Sequence, residues 1–230
     1  MEILSPAEWE VLGLSLRVAL ASVTLTLPVA VGVGWLLARC DFRGKLLVDG
    51  LCHLPLVLPP VVTGYLLLLA FGRRGWLGPV LESLGIRLAF DWKGAVLASA
   101  VVAFPLSLRA VRLAIEHVDP RLEGVARTLG AGAWRVFFTV TLPLAAPGLW
   151  VGALLAFARS LGEFGATITF VANISGQTRT IPAAIYTYLN QPAGEAAALR
   201  LVWISIGLSL AALVGSEWAA RRSRNRQATP

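Results

Sequence analysis

Residues 18–38, VALASVTLTLPVAVGVGWLLA, run for 21 positions without an Asp, Glu, Lys or Arg. A helix of about 20 such residues crosses the hydrocarbon core of a bilayer. Four more charge-free runs follow, at 50–72, 94–108, 136–158 and 201–216. The third and fifth are short by that standard. They reach full length if Arg109 or Lys93 snorkels and if Glu217 and Trp218 sit at the interface. The fold expected is an all-α polytopic membrane protein of about five transmembrane helices. They fall near 14–38, 50–72, 94–112, 136–160 and 199–219, within one domain over residues 1–230.

Composition agrees. The chain is 57% hydrophobic and only 14% charged, with a mean hydropathy of +0.72. A water-soluble domain carries about 25% charged residues to cover its surface, so a soluble globular enzyme and a disordered chain are both excluded. The balance of 20 Lys+Arg against 13 Asp+Glu gives +7, which in a soluble protein would suggest nucleic acid. Here the loops between spans account for it, and no nucleic-acid partner is expected. Cys40 and Cys52 make no disulfide framework, and His53 and His117 stand apart without metal-ligand spacing. The first ten residues hold three acids and no base, so no cleavable signal peptide is expected.

Five spans put the two termini on opposite sides. With the C-terminus inside, the inner segments hold twelve basic residues: Arg39, Arg43 and Lys45, then Arg109, Arg112, Arg121, Arg127 and Arg135, then Arg221, Arg222, Arg224 and Arg226. The outer segments hold six: Arg73, Arg74, Arg87, Lys93, Arg179 and Arg200. The positive-inside rule therefore places the N-terminus outside and the C-terminus inside. A sixth span within 162–198 would reverse the tail, and that stretch is polar. It is expected to be an external segment with re-entrant or interfacial pieces, since irregular backbone at membrane depth must be buried in protein or line a wet cavity.

Three motifs stand out. Pro55, Pro59 and Pro60 interrupt the second run and remove three backbone donors. This is either a kink held by neighbouring helices or a broken helix beside a pathway. Gly148 and Gly152 form a GxxxG, whose ordinary meaning is close helix packing. Between spans three and four, Asp119-Pro120 signals a helix start, Leu122, Ala126 and Leu129 recur at helical spacing, and Gly130 is placed to end the helix in a left-handed conformation. This short inner helix, in the loop 113–135, either lies on the lipid surface or serves as a knob for a cytoplasmic partner.

The run Glu123-Gly124-Val125-Ala126, then Gly130, Val140 and Leu142-Pro143, resembles the "EAA" loop of binding-protein-dependent ABC importer permeases. In that family Glu-Ala-Ala is followed by three residues, Gly, nine residues, Ile, one residue and Leu-Pro. With Gly130 as anchor, Val140 stands at the Ile position, Leu142-Pro143 match, Ala126 matches the last Ala, and Glu123 sits one place early. The stretch 54–64 and Gly162-Glu163-Phe164-Gly165-Ala166-Thr167, with Gly176-Gln177-Thr178, further resemble the molybdate permease subunit family over residues 14–213. Sulfate permeases share the proline-rich span but tend to carry Gly-Glu-Tyr-Gly and a longer chain.

The resemblance implies a permease subunit of an ATP-driven oxyanion importer in the bacterial inner membrane. It implies a homodimer, two cytoplasmic ABC ATPase subunits and an external molybdate-binding protein, all within lipid. Sulfate or tungstate is the alternative cargo; a membrane-embedded enzyme or a structural membrane protein is the alternative class. The ATPase-coupling residues would be Leu122, Glu123, Ala126, Leu129, Gly130, Leu142 and Pro143. Small or neutral hydrogen-bonding groups suit an oxyanion conduit, which makes Pro59, Pro60, Thr63, Gly64, Glu163, Thr167, Thr169 and Asn173 the candidate pathway. Arg159 and Glu163, four apart, are expected to neutralise each other. No Gly-x-x-x-x-Gly-Lys-Ser/Thr occurs, since Gly44-Lys45 is followed by Leu46. ATP and Mg are thus expected on the partner ATPase, with no catalytic residue, metal or cofactor on this chain.

Overall fold

The structure, a computed structural model, describes residues 4–227, which are helical with no strand among them. Helix α1 spans Pro6–Arg39 and starts before the charge-free run does, because Ser5 and Glu8 form a capping box. The Ser5 hydroxyl accepts the Glu8 N–H, and the Glu8 carboxylate accepts the Ser5 N–H at 2.7 Å. The proline-rich run is not one rod. Helix α2, Lys45–Val57, and helix α3, Pro60–Phe71, meet at an angle of 114°. Leu58, which precedes a proline, is extended, and Pro60 opens α3 at the first helical position, where its missing N–H costs nothing.

A short α4, Gly78–Ser83, leads to α5, Trp92–Glu116. Then come α6, Pro120–Thr128, and α7, Ala133–Val136, which runs through a π-helical turn at Phe137–Thr141 into α8, Leu142–Leu161. Pro143 has no N–H for the carbonyl one turn back and its ring crowds that carbonyl. The widened turn just upstream accommodates it. Helices α9, Gly165–Val171, α10, Ile181–Leu189, and α11, Glu195–Gln227, complete the chain. Four stretches, Pro6–Arg39, Trp92–Glu116, Ala133–Leu161 and Glu195–Gly215, are long and apolar enough to cross a membrane, and the bent α2–α3 pair makes a fifth if it counts as one span.

Helix α5 is the hub, packed between α1 and α8. Its buried side chains are mostly small, including Ala95, Ala98, Ser99, Ala103 and Ser107, which lets neighbouring backbones approach. The GxxxG does what its spacing suggests. A Cβ on Gly148 would collide with Ala114, and one on Gly152 would lie 3.2 Å from the Ser107 carbonyl. Two apolar clusters fill the hub, one around Val18, Val102 and Phe170 and one around Leu37, Leu108 and Ile115. Polar pairs fix the register of the helices. Ser22 and Ser160 share a 2.7 Å hydrogen bond between α1 and α8, the Ile181 N–H donates to Ser15 at 2.8 Å, and Arg200 of α11 pairs with buried Glu8 at 2.9 Å.

Candidate functional site

The first candidate region is α6 and its anchorage. Asp119 caps the helix by accepting the Arg121 N–H at 2.9 Å, and Gly130 follows its end at φ +86°, a conformation that disfavours any Cβ by about 1 kcal/mol. Leu122, Val125 and Leu129 are exposed, Leu129 by 83%, and Ala126 is half-buried. The apolar stripe thus runs through Val125 rather than Ala126, a choice that the spacing i, i+3, i+7 from Leu122 already allowed. It faces away from the bundle, as does Trp134 just beyond.

Glu123 is the one buried residue of α6. Its Oε1 accepts hydrogen bonds from Arg39 Nε at 3.2 Å and from the Thr141 hydroxyl at 2.8 Å, and pairs with Arg39 Nη2 at 3.1 Å. Arg39 Nη2 also donates to the Val118 carbonyl at 2.7 Å. One carboxylate therefore ties α6 to the end of α1 and to the π-helical turn before α8. Arg39 and Thr141 carried no sequence signal, because both partners are distant along the chain. Leu142 is half-buried and Pro143 exposed at the start of α8.

The second region lies where α3 meets α9. Helix α8 ends at Leu161, the chain breaks over 162–164, and α9 then packs on α3. The contact is close: a Cβ on Gly64 would lie 2.9 Å from both Ala166 Cα and Thr169 Cβ, and one on Gly165 would lie 2.8 Å from Pro60 Cβ. The structure thus brings Pro60 and Gly64 against Gly165, Ala166 and Thr169, with Thr63 and Thr167 on the same two packed helices, and Pro59 sits exposed at the bend. Thr63 and Thr167 are both buried within the protomer. The Thr167 hydroxyl donates to the Phe164 carbonyl at 2.9 Å and that of Thr169 to Gly165 at 2.8 Å. Asn173 lies apart, beyond α9, where its side chain joins Thr187 at 2.7 Å and Arg179 at 2.9 Å.

Glu163 occupies the break and is buried. Its Oε1 accepts the Ala166 N–H at 2.8 Å, and its Oε2 pairs with Arg159 Nη1 at 2.8 Å, the i,i+4 pairing that the spacing suggests. No group of three or more His, Cys, Asp and Glu side chains fit to hold a metal occurs among the described residues.

Residues 30–225 match the family described as "Binding-protein-dependent transport system inner membrane component". The chain is 60% identical over 225 residues to the molybdenum transport system permease protein ModB of Escherichia coli K12, covering 97% of this chain and 98% of that protein. It is 37% identical over 219 residues to the sulfate transport system permease protein CysW of Synechococcus elongatus, covering 94% of this chain and 81% of that one. Its fold matches a chain of the bacterial alginate ABC transporter in complex with alginate pentasaccharide-bound periplasmic protein. That match has a TM-score of 0.71 at 18% identity and covers 98% of this chain and 81% of that one.

Proposed function

Because the chain belongs to the family of binding-protein-dependent transport system inner membrane components, we propose that it is the membrane-spanning subunit of an ATP-driven importer of molybdate. The observation that carries the cargo is the 60% identity, over 97% of the chain, to a molybdenum permease, against 37% to a sulfate one. Tungstate and sulfate are the competing oxyanions.

Two copies of the chain enclose the route, since five spans give one copy little capacity to surround it, and a symmetric pair forms a path along its axis. The ATPase subunits, which carry ATP and Mg, dock on the exposed stripe Leu122, Val125 and Leu129. Helix α6 leaves the hub helix α5 after only three residues and is pinned through Glu123 to α1 and α8. A push on α6 is therefore delivered to three long helices at once. The binding protein delivers its cargo at the Pro6 end of α1, which this reading places outside. A periplasm-only reporter fused at the C-terminus should be silent and a cytoplasm-only reporter active; the opposite pattern refutes the orientation.

Cells lacking this chain should lose molybdoenzyme activity at trace molybdate and regain it at high molybdate, with growth on sulfate unaffected. A sulfur requirement with active molybdoenzymes would instead assign the chain to sulfate.

A further inference from the structure

Arg159 precedes Ser160, whose hydrogen bond to Ser22 fixes its depth. Ser22 lies inside the charge-free run 18–38 of α1, so Arg159, third from the end of α8, sits within the membrane-crossing part of the bundle. Charge at that depth is costly and marks a pathway by default. The ion pair there is lopsided. The Glu163 side chain is 1% exposed and both of its oxygens are engaged, whereas the Arg159 side chain is 29% exposed. A guanidinium has five N–H donors, and among the described residues the structure gives Arg159 no partner besides Glu163, met through Nη1. The acid is held inside the fold, and the fork of the base is left open.

The surroundings suit an anion. Two helices break at this level, α2–α3 at 58–59 and α8–α9 at 162–164, and the breaks touch where Pro60 meets Gly165. Helix α3 begins there with its positive dipole end, and within its first turn or so Thr63 is 5% exposed with a buried hydroxyl that has no hydrogen-bond partner. In transporters, broken helices whose ends meet near mid-membrane are where substrate charge is received.

We propose that Arg159 contacts the oxyanion in mid-passage, with the unpartnered Thr63 hydroxyl at the adjoining break; this rests on the import function proposed above. Glu163 cancels the charge of Arg159 in the empty protein, so the contact is a relay rather than a trap. A site that bound a dianion tightly would slow its release.

The test is uptake of radiolabelled molybdate by the complete complex, with its ATPase and binding protein, in proteoliposomes. Arg159→Gln should cut uptake about tenfold, as the loss of charge-assisted hydrogen bonds implies, and Arg159→Lys should restore part of it. The deciding variant is Arg159→Gln with Glu163→Gln, which removes both charges and keeps an acceptor for the Ala166 N–H. If Arg159 only neutralises Glu163, this double variant transports like the wild type and the proposal fails. If Arg159 meets the cargo, the double variant stays slow. Because both charges leave together, it carries the test even if Arg159→Gln alone fails to assemble. Glu163→Gln alone should raise the molybdate retained by the washed, solubilised complex, and unchanged retention counts against the relay. A wild-type complex that imports no oxyanion overturns the import reading itself, whatever the variants do.

Discussion

Glu123→Ala is expected to leave the protein in the membrane while abolishing coupled transport. The substitution removes the only buried side chain of α6 and all of that helix's polar ties to α1 and the π-helical turn. Arg39, with a side chain 14% exposed, keeps the Val118 carbonyl and loses its counter-ion, and the buried Thr141 hydroxyl loses its acceptor. Breaking a buried pair from one side costs about 3–5 kcal/mol, because the remaining charge is left uncompensated. That cost falls on the attachment of a nine-residue helix that otherwise packs mainly on α7 and the π-helical turn. Glu123→Gln keeps an acceptor for Thr141 and should lie between the two. The measurement is co-purification of the ATPase subunit together with molybdate uptake. Wild-type levels of both in Glu123→Ala would remove the anchoring role.

The register of the EAA-like loop suggests a lesser role for Glu123, since it stands one place ahead of the family's Glu. What gives it weight is invisible locally: Arg39 is 84 positions away and Thr141 is 18. The features legible in the sequence are those governed by short-range physics. Charge-free runs report spans, Asp119-Pro120 reports a helix start, Gly130 reports a left-handed stop at φ +86°, and Gly148 with Gly152 reports a close helix contact. The Ser5…Glu8 capping box was equally legible as a pattern and would have moved the start of α1 back to Pro6. The meeting of α3 with α9, the size of the bend at 58–59 and the pair Glu8–Arg200 depend on tertiary packing and have no local signature.

The junction of α3 and α9 carries the other large effect. A Cβ at Gly64 meets the backbone Cα of Ala166 and the Cβ of Thr169 at 2.9 Å, so no flexible side-chain end can move aside. Gly64→Val adds three carbons to that contact and must push the two half-helices apart. Overpacking of this kind costs about 1–3 kcal/mol in general, and backbone neighbours put Gly64 at the upper end. The loss falls on the two broken helices, at the level of Arg159, and not on α6. The expected result is therefore the converse of Glu123→Ala: ATPase subunits still co-purify, uptake collapses, and the thermal stability of the solubilised complex falls. Gly64→Ala should show the same pattern in milder form, because a single methyl already reaches the forbidden distance. A Gly64→Val complex that transports at the wild-type rate would mean that α3 and α9 separate during the cycle. Their contact in this structure would then be one state of the route and not its fixed wall.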